Sequence, residues 1–214
     1  MKTEHAYNLW AKQYDTNENK TRDLDKIVTA EVLKKYQFSD VIELGCGTGK
    51  NTETLLKLSD SITGLDFSGE MLNIARQKFP DSHVEYKQCD LTKTWNIADN
   101  SADLVTCSLT LEHIKDLNGI FNQAHKKLRP NGYFFICELH PYKQYSGSKA
   151  RFPTKDGELT LETFTHHVSE YTNEARKNGF GLLELKEWFD NPDDNGLPRL
   201  ISFVFIRPVG CEIL

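Results

Sequence analysis

The sequence predicts a single α/β domain built on an open, largely parallel sheet. In residues 41–49, apolar residues suited to a strand buried on both faces run into a turn that contains three glycines. Segments typical of strands and helices then follow one another as far as residue 138. The closing stretch 200–206 is nearly all apolar, as in an internal strand. A strand, a glycine turn and a helix together form the nucleotide-binding start of an open α/β sheet.

The composition restricts the class of protein. With 214 residues the chain fits one domain, and its formal net charge of −5 argues against nucleic acid or an anionic membrane as the main partner. Five cysteines occur without a Cys-x-x-Cys pair, which favours buried reduced thiols over a disulfide or zinc framework. No apolar run reaches transmembrane length, and the N-terminus has no signal-peptide core. We therefore expect one cytoplasmic domain over residues 1–214.

The spacing of the glycines discriminates between nucleotide cofactors. Gly45, Gly47 and Gly49 are each separated by one residue, whereas a dinucleotide-binding turn has two residues before its third glycine. A phosphate-binding P-loop would need Ser or Thr after Gly49-Lys50, and Asn51 stands there instead. The turn therefore predicts neither an NAD-binding site nor a P-loop.

This turn resembles motif I of the class I methyltransferases that depend on S-adenosylmethionine (SAM). Glu43 matches the acidic position two residues before the first glycine. The resemblance implies that SAM, and its product S-adenosylhomocysteine (SAH), bind along the turn. The alternative is a glycine turn with a purely structural role. The residues of the motif that the resemblance assigns to cofactor binding are Glu43, Gly45, Cys46, Gly47 and Gly49.

An acidic residue ends the next predicted strand, 61–66. Asp66 lies 21 positions after Gly45, where a carboxylate can accept hydrogen bonds from both ribose hydroxyls of a nucleotide. Phe67 and Met71 are then expected against the adenine ring. The alternative is that Asp66 is only a helix cap, although Ser68 could equally cap the helix that follows.

The ends of the third and fourth predicted strands carry further candidates. Asp90 and Leu91 follow strand 84–89, and the resemblance implies that the acid receives the adenine amino group while the next backbone amide binds a ring nitrogen. Asp90 could instead be a turn residue. Ser108 and Leu109 end the fourth strand, where the resemblance places the methionine part of SAM. His113 is either a structural histidine or an active-site wall and possible base.

Residues 128–133, Leu-Arg-Pro-Asn-Gly-Tyr, resemble another signature of the same family, Leu-(Lys/Arg)-Pro-Gly-Gly. We expect a helix over 118–128, a turn over 129–132 and a fifth strand over 133–137. The resemblance implies the class I methyltransferase fold, a seven-stranded sheet of order 3-2-1-4-5-7-6 with strand 7 antiparallel and helices on both faces. The predicted strands 182–189 and 200–206 fit the antiparallel end of that sheet.

Residues 1–37 predict an N-terminal helical segment that is either a static cap or a lid over the cofactor. Tyr7, Trp10 and Tyr14 are spaced along it, and the stretch 7–15 resembles the entry segment of small-molecule methyltransferases. That resemblance implies that Tyr14 contacts the cofactor. Because no strand or core position is left for these aromatic residues, we expect them to wall the acceptor pocket from above.

Residues 139–163 read as an irregular, polar insertion on the acceptor side of the fold. His140 follows the fifth strand and is our first candidate for a base, with a histidine bonded to a turn carbonyl as the alternative. His166 and His167 begin the next predicted helix, 162–178. We expect at least one histidine to reach the acceptor.

These observations predict a SAM-dependent methyltransferase for a small, flat or apolar acceptor, similar to the quinone-biosynthesis group. No Asn-Pro-Pro-Tyr or Asp-Pro-Pro-Tyr sequence follows the fourth strand, which argues against methylation of nucleobases or glutamine amides. A methyltransferase for protein or RNA and a SAM-binding protein without catalysis are the alternatives. Metal-dependent catechol methylation is a weaker one, because the sequence has no convincing carboxylate cluster, and we expect no metal.

Overall fold

The computed structural model describes residues 3–16, 18–80, 83–147, 151–154, 157–191 and 196–210 of the chain. Cys211, one of the five cysteines, lies outside these ranges. The four cysteines within them, Cys46, Cys89, Cys107 and Cys137, are free thiols, and all except Cys89 are buried. None of the helices in the described ranges is long and apolar enough to cross a membrane.

Seven strands form one sheet, in the order β3-β2-β1-β4-β5-β9-β8. The five strands from β3 to β5 pair in parallel, and β9 runs antiparallel to both β5 and β8. Because β8 and β9 are the sixth and seventh strands of this sheet, the predicted order and the antiparallel last strand are confirmed. The strands are β1 Asp40–Leu44, β2 Ser61–Asp66, β3 Val84–Gln88, β4 Ala102–Ser108, β5 Leu128–Leu139, β8 Gly181–Trp188 and β9 Leu200–Ile206, with β6 Arg151–Thr154 and β7 Gly157–Thr160 forming a separate hairpin.

Side chains next to the helices fix where several of them begin. Asn19 accepts a hydrogen bond from the backbone N–H of Arg22 at 3.0 Å, and Ser68 accepts one from Met71 at 3.2 Å. Such contacts satisfy N–H groups that have no partner within the first turn of a helix. The helices are α1 Thr3–Tyr14, α2 Lys20–Leu33, α3 Thr52–Leu55, α4 Gly69–Lys78, α5 Leu117–Lys127, α6 Pro141–Tyr145 and α7 Val168–Lys177.

Two apolar layers cover the two faces of the sheet. Successive residues of a strand point to opposite faces, so Val41 packs with Val28 and Val32 of α2, whereas Ile42 belongs to the layer beneath α5 and α7. Phe121 of α5 is fully buried in the second layer. Helices therefore lie on both faces, as predicted, and the carboxyl ends of β1, β2 and β4 meet at one edge of the sheet.

Residues 129–132 belong to β5, so the turn predicted there is wrong. The backbone N–H of Asn131 donates to the carbonyl of Arg207, and the N–H of Arg207 donates to the carbonyl of Gly132 at 2.9 Å. Asn131 has a φ of +65°, and the register between β4 and β5 shifts in this region. Residues 131 and 132 thus pair with the chain after β9, and β5 continues through this irregular region instead of ending in a turn.

The segment 139–163 is more regular than predicted, because it contains α6 and the β6–β7 hairpin. Its residues 148–150, 155 and 156 lie outside the described ranges. The helix predicted over 162–178 begins only at Val168. The N–H of His167 donates to the carboxylate of Glu170 at 2.7 Å, and this capping contact fixes the later start.

Phe121→Ala should lower the free energy of unfolding by about 3–5 kcal/mol, the usual cost of removing a buried aromatic ring. The ring lies edge-on to Phe134 and Phe205, with centroids 5.2 and 5.6 Å away, so its loss leaves a cavity within the second layer, between α5 and the sheet. Urea unfolding measures the change. Ile27→Ala is the control, because Ile27 is 60% exposed and should change stability by less than about 0.5 kcal/mol. Equal effects of the two substitutions would contradict this core assignment.

Candidate functional site

A cavity of about 400 Å³ opens at the carboxyl ends of β1, β2 and β4. Its volume lies within the range of small-molecule sites, and the ends of parallel strands are where open α/β sheets bind ligands. Helix α1 and the loops after these strands form its walls. The sequence-predicted site residues that line it are Tyr14, Gly45, Gly47, Asp66, Phe67, Met71, Asp90, Leu91, Ser108, Leu109 and His113.

Two glycines of the turn after β1 serve different purposes. Both have positive φ, +63° at Gly45 and +54° at Gly47, a conformation that favours glycine. A Cβ atom on Gly45 would lie 2.1 Å from Oγ1 of Thr110, so this glycine lets another loop pack against the turn. A Cβ atom on Gly47 would meet nothing within 4 Å. The backbone of Gly47 is therefore open to a ligand.

The remaining motif residues lie behind this surface. Gly49 is packed, since a Cβ atom there would lie 2.8 Å from the ring of Phe79. Cys46 is buried in a small apolar cluster with Leu72 and Ala75 of α4. Glu43 is buried and accepts a hydrogen bond from the Thr52 hydroxyl, and burial raises the pKa of its carboxyl to about 8. These three residues support the turn and do not line the large cavity.

The carboxylate of Asp66 joins the two loops that border the cavity. Oδ2 accepts from the N–H of Gly47 at 2.9 Å, and Oδ1 accepts from the N–H of Ser68 at 2.8 Å. Burial raises the pKa of Asp66 to about 6, although these backbone hydrogen bonds oppose the rise. The cap of α4 is the Ser68 hydroxyl, so Asp66 has a position on the cavity wall that helix capping alone does not explain.

Asp90 is both a turn residue and a residue of the cavity wall. Its Oδ1 accepts from the backbone N–H of Thr92 at 2.9 Å and from the Thr92 hydroxyl at 2.6 Å, which makes it a turn residue. It also lines the cavity, next to Leu91. The turn therefore fixes the position of Asp90 at the site.

Helix α1 closes the cavity through contacts with three loops. The hydroxyl of Tyr7 lies 2.9 Å from Nε2 of His113, and its ring lies edge-on to Phe67. Oδ1 of Asn8 accepts from the Ser68 hydroxyl at 2.6 Å, and Oδ1 of Asp15 accepts from the Thr48 hydroxyl at 2.8 Å. Helix α1 thus lies over the cavity and is joined to the loops after β1, β2 and β4.

The hydrogen bonds of His113 determine the tautomer of its neutral ring. Nδ1 lies 3.2 Å from the carbonyl oxygen of Glu162, which can only accept, so Nδ1 carries the proton. Nε2 is then the acceptor, and the hydroxyl of Tyr7 donates to it. His113 therefore presents a basic nitrogen to the cavity, covered by a side chain of α1.

The structure does not bring His140 to the cavity. Pro141 begins α6 directly after it, and Nδ1 of His140 accepts from the N–H of Tyr142 at 3.1 Å as the cap of that helix. Its Nε2 lies 3.0 Å from the carboxylate of Glu187. His166 is likewise structural, because its Nε2 donates to the carbonyl of Ile114 at 2.8 Å. Of the histidines singled out from the sequence, only His113 lines the cavity.

A polar group below the glycine turn was missed by sequence reasoning. A second cavity, of about 40 Å³, adjoins the first, and Tyr14, Ser108 and Leu109 line both. Asp25 is 2% exposed, and its Oδ2 accepts from the amide of Asn51 at 2.8 Å. Oδ1 of Asp25, Oδ1 of Asn51 and Oγ of Ser108 are buried and have no hydrogen-bond partner among the described residues.

Buried polar atoms without partners are rare in native proteins and call for a ligand or water. Asp25 and Arg22 come from α2, and the guanidinium of Arg22 lies 4.2 Å from the centre of the Tyr14 ring. The signal in the sequence was the position of Asp25, which falls on the apolar face of α2 with Val28 and Val32. Within the described ranges, no group of three or more His, Cys, Asp or Glu side chains could hold a metal ion.

Comparison with known proteins finds similarity to methyltransferases. A family described as a methyltransferase domain matches residues 42–136. A ubiquinone biosynthesis O-methyltransferase of Hydrogenovibrio crunogenus is 31% identical over 121 residues, which are 54% of this chain and 50% of the relative. An uncharacterised methyltransferase of Emericella nidulans is 26% identical over 86% of this chain and 78% of its own length. The match thus spans about half of the ubiquinone-related protein.

Solved structures share the fold. A complex of DhpI with SAM and HEP has a TM-score of 0.76 and 22% identity, with 95% of each chain covered. A SAM-dependent methyltransferase from Mesorhizobium loti has a TM-score of 0.70 and 20% identity, covering 84% of this chain and 96% of that one.

Glu43→Gln should stabilise the protein more at pH 8 than at pH 5. The folded-state pKa is about 8 and the ordinary value is 4.5, so the unfolded chain loses this proton first and stability falls as pH rises between these values. Glutamine keeps an oxygen for the Thr52 hydroxyl and removes the titration. Urea unfolding at both pH values measures the difference, with Glu70→Gln, an exposed position, as the control. A constant difference between Glu43→Gln and the wild type at the two pH values would contradict this assignment.

Proposed function

We propose that this chain, in which residues 42–136 match a methyltransferase domain, transfers the methyl group of SAM to a small-molecule acceptor. The observation that carries this proposal is the position of the Asp66 carboxylate at the carboxyl ends of β1 and β2, where it accepts a hydrogen bond from the backbone N–H of Gly47. A small acceptor is supported by the enclosure of the site, since α1 lies over the cavity and leaves about 400 Å³.

The described residues fit SAM. The Asp66 carboxylate suits the two ribose hydroxyls, and Phe67 and Met71 offer apolar surface to the adenine ring. Asp90 and the backbone N–H of Leu91 suit the polar edge of the same ring. When bound, SAM would supply an electrophilic methyl carbon on a sulfonium, and the sulfur would leave as the neutral thioether of SAH when the carbon–sulfur bond breaks.

The amino-acid end of SAM matches the polar group below the glycine turn. The cationic guanidinium of Arg22 suits a carboxylate. The unpartnered oxygens of Asp25, Asn51 and Ser108 suit an ammonium group, which has only donors to offer. A single ligand with both charged groups would therefore pair with the Arg22 guanidinium and also give partners to the oxygens of Asp25, Asn51 and Ser108.

The acceptor side of the cavity supports a flat or apolar substrate. Tyr7, Phe67 and Ile114 line it, and Tyr7 packs against Trp10 and Tyr14 with ring centroids 5.9 and 6.4 Å apart. Aromatic walls bind flat molecules and exclude water from the reaction. Relatives named for O-methylation in ubiquinone biosynthesis support an acceptor of this kind.

His113 is the candidate base. A hydroxyl acceptor must lose its proton as it gains a methyl group, and Nε2 of His113 is a proton acceptor at the cavity wall. In the structure the Tyr7 hydroxyl occupies this nitrogen, so an acceptor must displace Tyr7 or pass its proton through it. The sequence favours His140 as the base, but its capping and carboxylate contacts lie outside the cavity and favour His113 instead.

Asp66→Ala should weaken SAH binding at least about tenfold, because hydrogen bonds to a charged group contribute about 1.5–3 kcal/mol each. In the wild type, SAH affinity should also fall as pH is lowered through about 6, since protonation of Asp66 weakens it as an acceptor. Calorimetric titration with SAH and with NADH measures both effects. Asp60→Ala, an exposed acid at the start of β2, is the control. Unchanged SAH affinity in Asp66→Ala would reduce Asp66 to a structural role, and tighter binding of NADH would refute the cofactor assignment.

His113→Ala should lower turnover of SAM at least about a hundredfold with a phenolic acceptor, the usual contribution of a positioned base. SAH affinity should stay within about threefold, a change of less than 0.7 kcal/mol. SAH release in the presence of a panel of phenols and catechols measures turnover, and His140→Ala is run beside it from pH 6 to 9. A larger loss in His140→Ala would exchange the roles of the two histidines. Absence of turnover with every phenol would refute the flat hydroxyl acceptor, and SAH binding without turnover of any acceptor would favour a non-catalytic SAM-binding protein.

A further inference from the structure

Glu138 is a buried acid to which the proposed reaction assigns no role. It lies next to last in β5, between β4 and β9, and is 1% exposed. Burial raises the pKa of its carboxyl to about 8. A carboxyl group in such a position is unfavourable unless hydrogen bonds compensate for the lost water.

The hydrogen bonds of Glu138 go to the backbone of the loop after β4. Its Oε1 accepts from the N–H of Thr110 and from the N–H of Leu111, each at 2.9 Å. Leu111 begins a single turn of 3-10 helix that ends at His113. N–H groups at the start of a helical turn have no partner within it, so Glu138 satisfies two donors that would otherwise be unpaired.

The same loop contains a backbone conformation that its residue disfavours. Leu109 has a φ of +50°, in the left-handed region that branched apolar residues rarely adopt. Its N–H donates to the carbonyl of Cys137 at 2.9 Å. Consecutive groups at the end of β5 therefore bind the backbone on both sides of the strained residue. Strain of this kind persists only where surrounding contacts determine the conformation.

The shape of this loop sets one wall of the candidate site. Leu109, Thr110 and His113 all line the large cavity. Thr110 also packs against the glycine turn, in the space that a Cβ atom on Gly45 would need. A different course of residues 109–111 would displace the Thr110 side chain into the turn or away from it, and would move His113 relative to Tyr7.

We propose that Glu138 is a positioning residue of this site, whose buried carboxyl group binds the amides of Thr110 and Leu111 and so keeps the strained loop against the glycine turn. This proposal rests on the proposed function for its consequence, cofactor affinity, but its structural part can be tested alone. An apolar residue at this position would leave two buried N–H groups unpaired, and the loop would relax.

Glu138→Gln and Glu138→Leu in the full chain separate the hydrogen bonds from the packing. Glutamine keeps an oxygen that can accept from both amides, whereas leucine is of similar size and has no acceptor. SAH affinity should stay within about threefold in Glu138→Gln and fall at least about tenfold in Glu138→Leu, as two hydrogen bonds are lost. Phe121→Leu, a core change away from the cavity, is the control for general destabilisation and should bind SAH as the wild type does.

Amide hydrogen exchange tests the loop directly. The amides of Thr110 and Leu111 should exchange slowly in the wild type and in Glu138→Gln, and at least about a hundredfold faster in Glu138→Leu, while the sheet amides of Val105 and Phe135 are unchanged. If Glu138→Leu does not fold, the exchange rates at residues 110 and 111 in the wild type and in Glu138→Gln still test the proposal. Fast exchange at 110 and 111 in the wild type, or equal SAH affinity in Glu138→Gln and Glu138→Leu, would overturn the proposal. Absence of SAH binding to the wild type would refute the proposed function and leave the exchange test intact.

Discussion

The carboxylate of Asp66 accepts one hydrogen bond from the N–H of Gly47, in the glycine turn after β1, and one from the N–H of Ser68, two residues after the end of β2. The shape of the cavity depends on this pair of contacts. Parallel pairing of β1 with β2 brings both loops to the same edge of the sheet. Because Gly47 has no side chain, the bonded backbone remains open on the cavity side. One side chain therefore orders the turn and at the same time forms part of the surface that a ligand would meet.

Two further acids of the site, Glu43 and Glu138, are buried, and their charge state determines whether their burial is unfavourable. Burial raises the pKa of Glu43 and of Glu138 to about 8, so both are largely uncharged at neutral pH. In that state the Glu43 carboxyl bonds to the Thr52 hydroxyl without repelling Asp66, and the Glu138 carboxyl bonds to backbone amides. The carboxyl groups of Glu43 and Glu138 thus fix parts of the site from behind, whereas Asp66 stands on the cavity wall.

Helix α1 completes the site with polar contacts of modest number. Tyr7, Asn8 and Asp15 each bond to a different loop, and among the residues of α1 whose burial the structure describes only Ala6 and Ala11 are buried. A segment with few buried apolar contacts opens at lower free energy than the sheet beneath it. The lid predicted for the N-terminal segment stays a prediction, which the few buried side chains of α1 favour.

Those features of the site that depend on short-range spacing could be predicted from the order of the residues. The glycine turn, Asp66 and Asp90 could be predicted because each follows a recognisable strand within a few residues, and a strand end fixes where the next side chain lies. The family resemblance added the strand order. Tertiary structure alone decided the contacts between distant residues: Tyr7 meets His113 across 106 positions, and Asp25 meets Asn51 across 26. It also placed His140 outside the cavity, because the chain turns into α6 directly after β5. Helices and strands can be predicted because their patterns involve neighbouring residues. A contact between two side chains that are distant in the sequence depends on how whole helices and strands pack.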